Sequence, residues 1–173
     1  MTQLIRKAKH DDAEAIQNLI LLFTEDGQML YRSLAEIRQN IHTFLVSEQD
    51  GELTGVCSLK FGWDQYVEIR SLVVHPRFNR QGIGTAQVRE CIEAALATDS
   101  QVLFVLTYAG PLFEKLGFEV VEKSALPMKI WNDCQACLHR DNCDETAMTL
   151  SLKALKTSRL GKIPLNGTPE VLY

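Results

Sequence analysis

Residues 73–90 read VVHPRFNRQGIGTAQVRE, and this stretch constrains the fold more than any other. An apolar run, Ile69, Leu72, Val73 and Val74, predicts a strand that ends at His75-Pro76. A basic turn with Arg77, Asn79, Arg80, Gln81, Gly82, Ile83 and Gly84 follows, and a helix is expected from about Thr85. Strand, glycine turn and helix start together aim several backbone N–H groups at one anion. The first amides of a helix have no internal partner, and the helix dipole favours negative charge there. Glycine lets an anion approach without a Cβ in the way. The segment is therefore expected to hold a pyrophosphate. Neither G-x-x-x-x-G-K-[ST] nor G-x-G-x-x-G occurs, which sets aside the nucleoside-triphosphate loop and the dinucleotide fingerprint.

The rest of the chain sets wide bounds. Its 173 residues suit one domain with one good core. Hydrophobic content of 46% and charged content of 23% are those of an ordinary globular protein. A net charge of −4 argues against nucleic acid as a partner. No apolar run reaches membrane-spanning length, and the N-terminus lacks a signal-peptide core, so a cytoplasmic protein without a membrane partner is expected.

Periodicity predicts the elements. Leu4 to Lys7 reads as a first strand. Asp11 or Asp12 can cap a helix with Ala15, Ile16, Leu19, Ile20 and Leu22 on its apolar face. Ser33 to Glu36 is a capping box opening a helix to about Ile41. Phe44 to Glu48 and Leu53 to Lys60 form a hairpin around Asp50-Gly51, and Tyr66 to Val74 is a longer strand. A helix over Thr85 to Thr98 turns Val88, Cys91, Ile92, Ala95 and Leu96 inward, and Cys57 and Cys91 read as core. Val102 to Leu106 is a central strand, Pro111 to Leu116 a short helix stopped by Gly117, and Phe118 to Val121 and Ala147 to Leu152 the last strands. Residues 1–157 are expected to form the domain, and residues 158–173 a surface arm or a partly disordered tail.

This order, with RQGIGT after VVHP and LFEKLGFEVV at Leu112 to Val121, resembles the GNAT superfamily of N-acetyltransferases over roughly residues 4–152. The resemblance implies an α/β (α+β) fold, with a mixed, mostly antiparallel sheet of six or seven strands flanked by about four helices. It implies acetyl-CoA as cosubstrate, with Arg80, Gln81, Gly82, Ile83, Gly84 and Thr85 at the pyrophosphate. Leu72, Val73 and Val74 would face the pantetheine and thioester. Two positions depart from the family pattern. Asn79 stands where Gln or Arg is usual, with Arg80 supplying charge one residue late, and Phe113 stands where a tyrosine general acid is usual.

Within the superfamily, GQMLYRSLAEIRQNIHTFLVSEQDGELTGVCSL, EIRSLVVHP, LTY and LPMKIWNDC resemble the acetyltransferase domain of N-acetylglutamate synthases. These acetylate the α-amine of glutamate on the way to arginine. The resemblance implies a carboxylate clamp at Arg32, with Arg70 and Lys60 as further cations and Lys129 beside Trp131 if the following insert folds over the site. A guanidinium fork binds carboxylate with two parallel bonds. Glu68 is the candidate base, and period two along a strand places residues 68, 70 and 72 on one face. Tyr108, with Thr107 as another donor, is the candidate acid in place of Phe113. A backbone N–H near Leu72 or Val73 would polarise the thioester. Acetylation of another amine, and a non-catalytic acyl-CoA or metal sensor, are the competing functions. A homodimer is an open alternative.

The insert over about residues 124–146 carries Cys134, Cys137 and Cys143, with His139 between. Three thiolates and an imidazole suit zinc, and three thiolates with an outside ligand suit an iron–sulfur cluster. A zinc site normally needs a second knuckle, which is missing. Reduced surface thiols and a redox-active disulfide are the alternatives.

Overall fold

The protein is described by a computed structural model over residues 3–127 and 143–160. Seven strands make one sheet: β1 (Gln3–Lys7), β2 (Phe44–Gln49), β3 (Glu52–Trp63), β4 (Tyr66–Val74), β5 (Val102–Thr107), β6 (Glu119–Val120) and β7 (Thr146–Ser151). Their order across the sheet is β1-β2-β3-β4-β5-β7-β6, and only β4 and β5 run parallel. The described helices are α1 (Ala13–Leu21), α2 (Leu34–Gln39), α3 (Ile83–Leu96), α4 (Gly110–Glu114) and α5 (Leu152–Leu160). The mixed, mostly antiparallel architecture expected from the sequence is the one observed.

One face of the sheet packs on α3 and α4, where Val67, Ile69, Val88, Cys91, Leu103 and Phe113 share a core. The other packs on α1 and α2 through Ile16, Ile20, Ile37, Val46, Val56 and Val73. Cys57 and Cys91 meet inside the first core with their sulfurs 3.2 Å apart, which with burial pushes the Cys57 thiol up. Asp50 (φ 52°) and Gly51 (φ 82°) make the expected two-residue turn of the β2–β3 hairpin. Gly117 (φ 91°) ends α4 as expected. Gly117 N bonds Glu114 O, Phe118 N bonds Phe113 O, and the two phenylalanine rings pack edge to face 5.1 Å apart.

Several expectations are corrected. Asp12 does not cap α1 through its side chain; its carboxylate turns back to Lys9 N and Arg6. Leu22 is exposed rather than on the apolar face of α1, because the helix has ended and the chain is turning. The strand expected at Phe118 shrinks to two residues at the sheet edge. Residues 158–160, expected in the tail, belong to α5. That helix is held by Leu152 N on Gln101 O, by Lys156 on the carbonyls of Thr98 and Ser100, and by Arg159 on Glu93. No described helix is long and apolar enough to cross a membrane.

Candidate functional site

The strand carrying Glu68 and Arg70 does not keep period two. Val56 pairs with Val73 and Ser58 with Arg70, so Cys57 faces two residues of β4, Ser71 and Leu72. Ser71 takes φ 55°, a left-handed conformation that costs a non-glycine residue about 1–2 kcal/mol. The resulting bulge flips the face. Val67 and Ile69 pack towards α3, yet Val73, of the same parity, packs towards α1 and α2. The expectation that residues 68, 70 and 72 share a face is therefore corrected: Leu72 packs with the α3 core. Beside the bulge, the β4–β5 ladder ends at Glu68 and Phe104, although both strands continue. The two strands part where Ser71 to Val74 and Val105 to Thr107 run on.

That parting opens a cavity of about 370 Å³. Glu68, Arg70, Ser71, Leu72, Val73 and Val74 line it from β4, and Val105, Leu106, Thr107 and Tyr108 from the end of β5. The segment after α1 closes it with Phe23, Met29 and Arg32, and Cys143 and Glu145 reach it from the approach to β7. The structure thus brings together Glu68, Arg32, Arg70 and Tyr108 in one cavity. Lys129, Cys134 and Cys137 lie outside the described residues. Among the described residues no three His, Cys, Asp or Glu side chains gather as a metal would need.

Glu68 is buried, at 9% exposure. Arg32 and Arg70 are also largely covered, with side chains 12% and 10% exposed, so Arg32 is not a solvated helix-start charge. Gln17 Nε2 donates to Arg32 O at 3.2 Å, and Ser58 Oγ donates to Arg70 O at 3.2 Å, fixing both backbones. Ser33 caps α2 by accepting from Glu36 N. The Glu36 carboxylate meets both guanidiniums, through Oε1 at 3.2 Å from Arg32 Nη1 and 3.6 Å from Arg70 Nη2. The Nε of Arg32 is buried without a hydrogen bond among the described residues. A guanidinium with a covered, unused donor edge suits a carboxylate.

Tyr108 is half-exposed, at 48%. Its phenol is pushed well above its ordinary value by burial of the hydroxyl first, then by its bond to Asp144 and the nearby carboxylates. Thr107 Oγ1 accepts from Ala109 N at 2.8 Å. Phe113, in the position of the usual tyrosine, is fully buried; its core packing is worth roughly 1.5–3 kcal/mol.

At the head of α3 the chain makes a turn over Pro76–Phe78, with His75 Nδ1 accepting from Arg77 N. Arg80 (φ 62°) and Gly82 (φ 79°) are both left-handed, a backbone shape that turns successive N–H groups towards one point. Gly82 is the N-cap and offers no side chain; the first internal bond of the helix is Ala86 N to Gly82 O. The amides of Ile83, Gly84 and Thr85 thus begin the helix without helical partners. Arg80 and Gln81 are exposed, whereas the Ile83 side chain is core, leaving only its backbone for an anion. A Cβ on Gly84 would lie 3.3 Å from Leu112 Cδ1 and 3.6 Å from Val74 Cγ2, so this glycine lets the helix start sit close to the end of β4.

Two residues of the site were missed by sequence reasoning. Glu36 had a signal, S-x-x-E, but that motif speaks only of helix capping. Ser71 had none, since nothing in EIRSLVV marks a bulge at serine.

Residues 13–118 match the acetyltransferase (GNAT) family. An uncharacterized N-acetyltransferase of Chlorobaculum tepidum is 37% identical over 149 residues, which are 86% of this chain and 96% of that protein. The amino-acid acetyltransferase of Mycobacterium tuberculosis is 27% identical over 134 residues, 75% of this chain and 76% of that one. The N-acetylglutamate synthase of Neisseria gonorrhoeae, solved with coenzyme A and N-acetyl-glutamate, superposes with a TM-score of 0.78 at 27% identity. That match covers 88% of this chain and 35% of the synthase, so the chain spans about a third of that enzyme.

Proposed function

Because the chain belongs to the acetyltransferase (GNAT) family, we propose that it moves the acetyl group of acetyl-CoA to the α-amine of an amino acid, with L-glutamate as the acceptor. The observation that carries the acceptor class is one cavity in which two covered guanidiniums, Arg32 and Arg70, stand with the carboxylate of Glu68. An amino acid brings an anionic carboxylate for the first two and an ammonium for the third. The Neisseria synthase, crystallised with N-acetyl-glutamate, supports glutamate within that class, and arginine synthesis is the route such a product would feed.

Residues divide the work as follows. The amides of Ile83, Gly84 and Thr85, with Arg80 and Gln81, bind the coenzyme pyrophosphate; a charge-assisted bond there contributes roughly 1.5–3 kcal/mol. The backbone of Leu72 to Val74 holds the pantetheine along the gap between β4 and β5, and an N–H past the bulge polarises the thioester carbonyl. Arg32, with Arg70, seats the acceptor carboxylate. Glu68, directly or through a water, takes a proton from the α-ammonium, which is protonated at neutral pH, and frees the amine to attack. Aligning amine and thioester is worth up to roughly 7–11 kcal/mol.

Thiol release from acetyl-CoA over a panel of amino acids and other amines tests this. Release should depend on glutamate, and Arg32→Ala should raise the glutamate KM at least tenfold while acetyl-CoA affinity holds. Turnover with another amine and none with glutamate would reject the acceptor.

A further inference from the structure

Gln87 is a polar residue on the apolar stripe of α3. It stands one turn after Ile83 and one turn before Cys91, both core residues, and it is 0% exposed. Its Nε2 donates to Ser47 Oγ at 3.3 Å, and Thr54 Oγ1 donates to the same oxygen at 3.1 Å. Ser47 and Thr54 are buried as completely. Gln87 Oε1 is buried without a hydrogen bond among the described residues. A buried amide oxygen without a partner costs free energy, and a long neutral bond returns little. An unbranched apolar side chain of similar size would avoid that cost. Stability alone does not account for a glutamine here.

Its place in the fold supplies a use. Gly55 marks a point where β2, β3, β4 and α3 converge. A Cβ there would lie 2.7 Å from Val73 O on β4, 2.8 Å from Ser47 Oγ on β2 and 3.0 Å from Gln87 Nε2 on α3. Gln87 lies one turn into the helix from Gly84, whose amide belongs to the proposed pyrophosphate site. Val73 belongs to the stretch of β4 proposed to hold the pantetheine, and its neighbour Val74 pairs with Gly55. Thr54 O in turn accepts from His75 N at 2.8 Å, just past the end of β4. The bond from Gln87 to Ser47 thus ties the helix that carries one half of the coenzyme cradle to the strands that carry the other.

We infer that Gln87 is a positioning residue for the coenzyme: through Ser47 it fixes the spacing between the pyrophosphate amides of α3 and the pantetheine stretch of β4. The inference rests on the proposed coenzyme cradle and assigns Gln87 no contact with the coenzyme. A ligand that spans both halves gains when they are held at the right spacing, because its second half binds intramolecularly once the first is seated. A ligand that fills only one half gains nothing from that spacing. A neutral hydrogen bond is worth roughly two- to tenfold in an equilibrium constant.

The test measures the binding of three ligands to wild type, Gln87→Met and Ser47→Ala. Coenzyme A spans the cradle, ADP carries its diphosphate without the pantetheine arm, and pantetheine carries the arm alone. Met keeps the length of the side chain and removes both polar atoms; Ser47→Ala breaks the same bond from the other end and leaves α3 untouched. In both variants the Kd for coenzyme A should rise by roughly two- to tenfold, while those for ADP and pantetheine stay at their wild-type values. An unchanged Kd for coenzyme A would overturn the inference, because Gln87 would then be packing only. A loss shared equally by all three ligands would also overturn it, since that reports a loosened site rather than a changed spacing. If Gln87→Met does not fold, Ser47→Ala decides alone. If wild type binds no coenzyme A, the cradle itself is rejected and the role of Gln87 with it, whereas coenzyme binding that neither variant changes rejects Gln87 alone.

Discussion

Glu68 and Tyr108 face one cavity, but their neighbours suit them to different tasks. Glu68 is a carboxylate beside the proposed amine seat, where accepting a proton is the useful act. Tyr108 donates its own proton towards Asp144, among carboxylates that oppose its loss. We therefore expect Glu68→Gln, which keeps shape and removes the base, to lower kcat by about 10²–10⁴. Tyr108→Phe should lower kcat by less than about tenfold, since the CoA thiolate can leave unprotonated. The sign for pH follows. A phenol held above its ordinary value of about 10 keeps its proton until the pH exceeds that value, so it adds no inflection to kcat between about pH 7 and 10. The stability it contributes is present below pH of about 10 and declines only as the pH climbs towards the raised value. Profiles of kcat against pH for both proteins check this; an inflection near 9–10 that disappears in Tyr108→Phe would contradict it. At this scale the sequence was legible where a residue type has one strong use. Arg32, Arg70 and Glu68 are such residues, and the fold brings them together. Glu36 was legible only as part of a cap, because its second use depends on Arg70, which lies far along the chain.

Among elements, β4 decides the site, and it depends on β3 lying very close. Gly55 pairs with Val74. A Cβ there would sit 2.7 Å from Val73 O, 2.8 Å from Ser47 Oγ and 3.0 Å from Gln87 Nε2. The first contact is with backbone and cannot rotate away. Gly55→Ala should therefore cost about 1–3 kcal/mol from overpacking and move the strand that lines the coenzyme gap. Urea midpoints should fall, and acetyl-CoA affinity should fall with them. Gly51→Ala, at a turn with open space around it, should leave coenzyme affinity unchanged, and equal effects on affinity would reject this account. Local chemistry made most elements legible. Asp50-Gly51 fixes a hairpin, Ser33 caps α2, and Gly117 stops α4. The bulge at Ser71 was not legible, since it answers to pairing with β3. Nor was α5, whose short sequence gains its anchor from carbonyls of the chain around Thr98 to Gln101.

Across the whole molecule, the edge strand β1 is clamped to the segment that leads into the site. The guanidinium of Arg6 holds both oxygens of Asp12, at 2.7 and 3.0 Å, and reaches Glu48 on β2 at 2.8 Å. Asp12 also accepts from Lys9 N at 2.7 Å. These bonds join β1, β2 and the entry to α1, and α1 leads into the Phe23-to-Arg32 wall of the cavity. The Arg6 guanidinium first, and the Lys9 N–H besides, hold the Asp12 carboxyl below its ordinary range, against the opposing effect of burial. A carboxyl depressed on folding contributes stability that is full above its unfolded value, about 3.9, and is lost as the pH falls through the folded value. Asp12→Asn should therefore cost roughly 1–2 kcal/mol at pH 7, since the three side chains are only 14–27% exposed. Urea unfolding at pH 7, 4 and 2 measures the gap between the two proteins. The gap should hold at pH 7 and narrow towards pH 2, as Asp12 takes up its proton and wild type comes to resemble the variant. A gap that stays constant with pH would mean that Asp12 acts by shape rather than charge. Acid would then loosen the entry to α1 through some other carboxylate.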